Sequence, residues 1–270
     1  MPNNYVFINF PYDKYYEPLF LALIAGLCGL GLTPKCTLQI SPREYRLKRI
    51  LSLINKCRFS LHDLSRVESP IPRFNMPFEA GLAIAYSRYN KAHEWRILEA
   101  KKHRIEKTLN DLNGHEPYIH NGTINGMLCA LTNIFVIKKN APEVAELKKI
   151  YDDLTVYVKK LKKSYRNLYQ ETPFNRLVLA ATSNAVCRRY KDRYRTTANS
   201  RSKKEKKDIK KDILKILKEM HSSKGNVFNP PIGSYEYNLA EKMVKRGLLE
   251  RAPAARLGGY SLPGTSVKPY

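Results

Sequence analysis

Two hydrophobic periods alternate along the first 140 residues. Short apolar runs rich in β-branched and aromatic residues, such as residues 5–10, have the composition of buried strands. Between these runs, apolar residues recur every three or four positions, as at Leu19, Leu23 and Leu27, which is the spacing of a helix face. The alternation predicts strands at residues 5–10, 33–40, 58–62, 95–99 and 116–119 and helices at 15–30, 42–56, 77–89, 104–112 and 123–137.

This order of elements predicts a doubly wound α/β domain over residues 1–140. Strands that alternate with helices favour a mostly parallel sheet, and five strands suit the flavodoxin-like order 2-1-3-4-5. Ligands of such sheets bind beyond the carboxyl ends of the strands, where strands 1 and 3 diverge. We therefore expect residues 10–13, residues 63–66 and the start of the helix that carries Glu79 to meet at one site.

Beyond residue 140 the pattern becomes helical and basic. Residues 141–195 are predicted as a helical connector, because apolar residues keep a helical spacing over 142–169 and 174–194. Residues 196–207 have no apolar period and many lysines, which is typical of a flexible basic linker.

The last segment, residues 208–270, resembles a winged-helix module. Helices are predicted over 208–221 and 234–246, and residues 248–251 and 259–262 could pair as a hairpin. Some winged helices place a helix in the major groove of DNA and others bind only proteins. If this module binds nucleic acid, the candidate contacts are Lys242, Lys245 and Arg246.

Charge adds a possible partner. The 270 residues carry a net charge of +24, of which residues 1–150 hold +8 and residues 151–270 hold +16. The excess in the C-terminal half suggests a nucleic acid or another acidic polymer as partner. A solvated, lysine-rich helical surface explains the same charge, and both interpretations stay open.

Several classes of protein are disfavoured. The longest apolar run, residues 19–32, is shorter than a membrane span and contains three glycines, so we expect a buried helix and no membrane partner. The N-terminus lacks the pattern of a secretory signal. Five cysteines without a CxxC pair suggest reduced thiols and a cytoplasmic protein, and six scattered histidines predict no structural metal.

Candidate chemistry centres on Glu79. Pro77 suits the first turn of a helix, where its missing N–H is not needed, and Glu79 is predicted in that same turn. Gly81 and Ala83 leave room for close packing or for a ligand. An acid in a first turn is more often a capping residue than a catalyst. Asp63 ends the third strand and is the second candidate carboxylate.

Three segments carry a resemblance to the TIR-like and nucleoside 2-deoxyribosyltransferase-like superfamily. Residues 5–13 resemble the first strand and loop of a TIR domain, and residues 54–65 are similar to the third-strand segment that ends in Asp. Residues 78–83, Phe-Glu-Ala-Gly-Leu-Ala, match the deoxyribosyltransferase pattern Phe-Glu-x-Gly-x-Ala. Residues 74–77, Phe-Asn-Met-Pro, depart from the Trp/Cys-containing motif of many TIR domains.

The resemblance implies cleavage of an N-glycosidic bond, with Glu79 as nucleophile or as stabiliser of a ribosyl cation. NAD would be the substrate, with no cofactor, because its cationic nicotinamide leaves without a general acid and no second catalytic carboxylate is evident. Asp63 would contact the ribose, and His62 would contact the ligand or point into the core beside Cys57. Further candidate contacts are two aromatic residues for stacking, the loop carboxylate and three arginines for the pyrophosphate: Phe10, Tyr12, Asp13, Arg43, Arg66 and Arg73.

Other functions remain open at this point. Members of the superfamily fused to further modules resemble bacterial antiviral defence effectors that deplete NAD, and homo-oligomer formation is an expectation of that comparison. One alternative is a non-catalytic, nucleotide-sensing and nucleic-acid-binding regulator. Another is a nucleoside 2-deoxyribosyltransferase or N-glycosidase.

Overall fold

The structure is a computed structural model that describes residues 4–39, 45–66, 74–112, 114–135, 142–197, 250–251 and 260–261. The strands of these residues are β1 (Tyr5–Asn9), β2 (Thr33–Lys35), β3 (Phe59–Asp63), β4 (Glu94–Glu99), β5 (Tyr118–Ile119), β6 (Glu250–Arg251) and β7 (Tyr260–Ser261). The α-helices are α1 (Glu17–Gly29), α2 (Arg46–Lys56), α3 (Asn75–Tyr89), α4 (Arg104–Thr108), α5 (Ile124–Ile134), α6 (Val144–Leu161) and α7 (Glu171–Thr197). Short 3₁₀ helices lie at Lys14–Tyr16, Thr37–Gln39 and Asn110–Leu112.

The strands β1 to β5 form one parallel sheet in the order β2-β1-β3-β4-β5. This arrangement confirms the predicted parallel α/β sheet and its strand order. The central pair, β1 and β3, runs in register from Val6 opposite Phe59 to Asn9 opposite His62. Two polar residues therefore lie side by side at the carboxyl end of the two central strands.

Helices cover both faces of the sheet. On one face, Phe7 of β1 packs in a buried cluster with residues of α2 and α3, among them Ile54 and Ala83. On the other face, Phe10, just past β1, stacks on Phe20 of α1 with 4.8 Å between the ring centroids. Because both faces are covered, all five residues of β3 are buried, including the polar residues Ser60, His62 and Asp63.

The helix α1 is buried from Leu19 to Gly29 and packs against β2, α5 and α6. Two glycines make the close approach of the helices possible. A Cβ atom on Gly26 would lie 2.5 Å from Leu131 Cδ1, and one on Gly29 would overlap Leu147 Cδ2. In the part of the chain that the structure describes, no helix is both long enough and apolar enough to span a bilayer.

Residues Asn3–Thr182 form one compact unit that includes the sheet and α6. The segment predicted as a connector thus contributes a helix that packs on α1. The long helix predicted over 142–169 ends at Leu161, since the chain turns over the next residues and brings Tyr169 back against Phe20. The predicted second strand is also shorter, because the chain forms a 3₁₀ helix after Lys35.

The strands β6 and β7 belong to the second compact unit and pair antiparallel, with Arg251 opposite Tyr260. They lie within the two segments predicted to form a hairpin. The helices expected over 208–221 and 234–246 lie outside the described residues, as do Lys242, Lys245 and Arg246. The winged-helix module therefore stays a prediction.

Candidate active site

A pocket of about 170 Å³ opens at the carboxyl end of β1, beside the start of α2 and α3. This is the switch point at which the chain leaves β1 and β3 toward opposite faces of the sheet, as the fold argument predicted. The walls combine one carboxylate, one guanidinium, two amides and a phenol with apolar groups, from Asn9, Phe10, Pro11, Tyr12, Arg46, Asn75, Met76 and Glu79.

Glu79 lies in the wall of this pocket, and its side chain is only 3% exposed. It is the fifth residue of α3, so the prediction that it lies in the first turn was wrong: the helix begins at Asn75, and its first turn contains no acid. Glu79 therefore does not cap the helix. Its Oε1 accepts a hydrogen bond from Arg46 Nη2 at 3.0 Å.

The environment of Glu79 acts on its charge in two directions. Burial raises the pKa of Glu79, because an apolar surrounding disfavours the carboxylate. The hydrogen bond and the positive charge of Arg46 lower the pKa, and a hydrogen bond from Asn75 acts in the same direction. Burial is the larger effect, so the pKa of Glu79 lies above its ordinary value, and Arg46 is the group that most favours the ionised form.

Arg46 is a site residue that the sequence analysis missed. It is the first residue of α2, and its side chain is half exposed, at 51%, where the pocket meets solvent. The helix was predicted to begin four residues earlier, and Arg46 was not among the candidate arginines. At the true helix start it reaches across to α3.

Asn9 ends β1 and holds two neighbouring elements together. Its Nδ2 donates to Met76 O in α3 at 3.1 Å and lies 3.2 Å from His62 Nδ1 in β3. Asn9 was also missed, although a polar residue at the carboxyl end of a buried strand is a usable signal for a site.

His62 is completely buried and does not line the pocket. Its ring packs edge-on against Phe7, with 5.9 Å between ring centroids, and its Nε2 has no hydrogen-bond partner among the described residues. Burial, with a smaller contribution from His93, lowers the pKa of His62 to about 3. Of the two roles predicted for His62, the structure places it in the core.

Asp63 is buried as well, and the protein itself occupies its carboxylate. Oδ2 accepts a hydrogen bond from the Tyr16 hydroxyl and lies 3.2 Å from His120 Nε2, while Oδ1 accepts from the backbone N–H of Ser65 at 2.9 Å and from its hydroxyl. Gly122 N–H donates to His120 Nδ1 at 3.1 Å, so the ring proton of a neutral His120 is on Nε2, facing Asp63.

These contacts decide the charge of Asp63. Burial alone would raise the pKa of Asp63, but the hydrogen bonds from His120, Ser65 and Tyr16 outweigh burial and lower the pKa. Asp63 does not line the pocket. It joins the ends of β3 and β5 to the start of α1, so its visible role is to hold these loops.

Phe10 and Tyr12 line the pocket from within an aromatic cluster. Phe10 stacks on Phe20 and Tyr16, and Tyr12 stacks on Tyr169 with 5.6 Å between ring centroids. The Tyr12 hydroxyl lies 2.9 Å from Thr37 Oγ1. At least one face of each ring is thus covered by a neighbouring ring of the protein.

Of the remaining predicted contacts, the two that the structure describes, Asp13 and Arg66, do not line the pocket. Asp13 accepts hydrogen bonds from Arg66 Nε and Nη2, both at 3.2 Å, so these two candidates pair with each other. Arg43 and Arg73 lie outside the described residues. Tyr169, which the sequence analysis did not associate with the site, donates its hydroxyl to Asp13 O at 2.6 Å and fixes that loop.

No metal centre accompanies the pocket: in the described segments, no three His, Cys, Asp or Glu side chains are close enough together to hold an ion. Comparisons of the chain with protein-family models, curated proteins and solved structures found no match. The fold and site therefore define a parallel α/β protein with a polar, carboxylate-bearing pocket at its switch point.

Proposed function

We propose that the chain cleaves the N-glycosidic bond of NAD or a related nucleotide, with Glu79 facing the reacting carbon. The observation that carries this proposal is the position of Glu79 in the pocket wall, buried, outside the helix cap and bonded to a half-exposed arginine. A buried carboxylate needs such a partner or a ligand of positive charge, because isolated burial of a charge is unfavourable.

The reaction develops positive charge where a carboxylate is most useful. The bond between ribose C1′ and the nicotinamide nitrogen breaks with both electrons moving to nitrogen, so the cationic ring leaves as neutral nicotinamide and needs no proton. Positive charge builds on C1′ and the ribose ring oxygen. Glu79 would stabilise that charge or form a ribosyl ester. Water would then add to C1′, breaking the bond to the Glu79 oxygen where an ester has formed, and pass its proton to the free carboxylate.

The residues that line the pocket fit a cleavage reaction that needs only one acidic residue. Among the described residues that line it, Glu79 is the one carboxylate, since Asp63 is held by Tyr16, Ser65 and His120. A neutral purine leaving group would require a proton donor as well. A cavity of about 150 Å³ holds one benzene-sized ring, so a pocket of this size suits the reacting end of a nucleotide.

The test is release of free base by the purified full chain. We expect nicotinamide and ADP-ribose from NAD, measured by chromatography, and little base from a panel of purine deoxynucleosides. Glu79→Gln keeps the size of the side chain and an acceptor for Arg46, yet should lower the rate about 10²- to 10⁴-fold. Glu94→Gln is the matched control, because Glu94 is a half-exposed β4 carboxylate paired with Arg58 and Arg96.

Three results would contradict the proposal. One is full activity in Glu79→Gln, and another is an equal loss in Glu94→Gln. The third is the absence of base release from NAD, from nicotinamide mononucleotide and from the deoxynucleosides alike. Release from the deoxynucleosides in preference to NAD would instead favour the deoxyribosyltransferase-like alternative.

A second candidate function follows from charge. Residues 151–270 carry a net charge of +16, twice that of residues 1–150, which favours binding of nucleic acid by the C-terminal half. Duplex binding by the full chain should weaken as salt rises from about 50 to about 200 mM. Replacing Lys242, Lys245 and Arg246 together by Gln should lower the slope of log affinity against log salt by about 3. Absence of binding at low salt would exclude this function.

A further inference from the structure

We infer that Arg46 binds the 5′-phosphate of the substrate, so that the pocket takes nucleotides in preference to nucleosides. The inference rests on the proposed function, because it concerns the ligand cleaved at Glu79. It assigns a substrate class and a phosphate-binding residue to a pocket whose predicted arginines pair elsewhere or lie outside the described residues.

The geometry of Arg46 leaves most of its guanidinium available. Arg46 Nη2 donates to Glu79 Oε1 at 3.0 Å, and half of the side chain is exposed at the mouth of the pocket. A guanidinium has five N–H donors in a planar fork. The edge that does not face Glu79 can therefore bind a second anion, and phosphate oxygens match that fork.

The charges around the pocket single out this residue. Among the described residues that line it, Arg46 is the one cation. Arg66 is at the same edge of the sheet, but its Nε and Nη2 both donate to Asp13 Oδ2. A phosphate that enters the pocket would therefore find its charged donors in Arg46.

One guanidinium would then connect both ends of the reacting sugar. Its inner edge holds the carboxylate that faces C1′, and its outer edge would hold the phosphate on C5′. Binding of the phosphate would fix C1′ against Glu79, which is the positioning that accelerates a reaction between bound groups. A nucleoside has no anion for the outer edge and would lose this positioning.

The alternative role for Arg46 is structural: it neutralises buried Glu79 and touches no substrate. The two roles predict different specificity. A structural partner affects every substrate of the site equally. A phosphate ligand affects only substrates that carry the phosphate.

The test compares nicotinamide mononucleotide with nicotinamide riboside, which share the scissile bond and the leaving group and differ by the 5′-phosphate. For the wild-type full chain we expect kcat/KM to be about 10- to 100-fold higher for the mononucleotide. Arg46→Gln should bring this ratio close to 1, and Arg46→Lys should keep part of it, since an ammonium still attracts phosphate. Arg58→Gln, at a half-exposed arginine paired with Glu94, should leave the ratio unchanged.

The outcomes separate this inference from the proposed function. Equal cleavage of both probes by the wild type overturns the phosphate role of Arg46 and leaves the glycosidase proposal standing. A preference for the mononucleotide that survives in Arg46→Gln also overturns the phosphate role of Arg46 and leaves the glycosidase proposal standing. Failure of the wild type to cleave NAD and both probes overturns the two proposals together.

Discussion

Buried His62 should make the fold sensitive to mild acid. The ring is fully buried, and burial lowers its pKa from the ordinary 6.5 to about 3. The unfolded chain therefore takes up a proton near pH 6.5 that the native chain refuses until about pH 3. Between these values stability rises with pH, and it falls as pH falls.

The magnitude follows from linkage. His62 is neutral in the native chain and titrates near pH 6.5 in the unfolded chain. Well below pH 6.5, each unit by which the pH falls therefore lowers the free energy of unfolding by about 1.4 kcal/mol. Integrated from about pH 7 to about pH 5, the loss is about 2 kcal/mol. Any native pKa below about 4 gives the same result.

The measurement is urea unfolding of the wild type and of His62→Asn at several pH values. Asn keeps an acceptor for Asn9 and cannot titrate, so the wild type should lose about 2 kcal/mol more than the variant over this range. His93, whose pKa burial also lowers, adds to the slope of both proteins and cancels in the comparison. His103→Asn is the control, because His103 is exposed and has a φ of 59°, which Asn tolerates. Equal slopes for the wild type and His62→Asn would refute the argument.

Three further changes test the packing of the α/β unit. Asp63→Asn should lower the free energy of unfolding by about 2–4 kcal/mol, because it leaves buried donors such as the Tyr16 hydroxyl without a charged acceptor. Asp111→Asn, at an exposed carboxylate, should have little effect. Equal losses for the two variants in urea unfolding would contradict this expectation. Because the pKa of Asp63 is lowered, its contribution is present above the ordinary value of 3.8 and is lost as pH falls through the native pKa. Gly29→Ala should lower the free energy of unfolding by about 1–3 kcal/mol, because the added methyl group overlaps Leu147. Gly81→Ala, where the methyl group enters open space, should raise it by about 0.5–1 kcal/mol. Thermal unfolding that ranks the two variants in the opposite order would refute this explanation of the packing of α1.

The sheet could be predicted from sequence because its signal is strong and repeated. Short segments with the composition of buried strands alternate with helical periods, and this pattern leaves few topologies for a parallel sheet. The strand order then placed Glu79 near the end of β1 without knowledge of any contact. The pocket forms at that position, with Glu79 in its wall.

The direction in which each side chain points could not be predicted from the sequence. Asp63 ends its strand as a ligand-binding carboxylate would, but it turns toward His120, which is 57 positions later in the chain. His62 was expected either at the ligand or in the core, and the pairing of β1 with β3 places it beside Phe7. No local pattern distinguishes these orientations, because the partners come from distant strands.

Helix ends were the second source of error. The predicted start of α2 was too early, and Arg46, which was not among the candidate arginines, is the first residue of the helix. The predicted end of α6 was too late, which hid the turn that carries Tyr169 to Asp13. Both site contacts depend on where a helix begins or ends, which amphipathic spacing fixes only to within a few residues.

The most direct test of the central claim is a crystal structure of the full chain with carba-NAD, in which a carbocyclic ring replaces the ribose next to nicotinamide and prevents cleavage. We expect the carbon equivalent to C1′ to lie within about 3–3.5 Å of a Glu79 carboxylate oxygen, in the pocket beside Asn9. An analogue bound elsewhere, or bound with this carbon out of contact with Glu79, would contradict the claim.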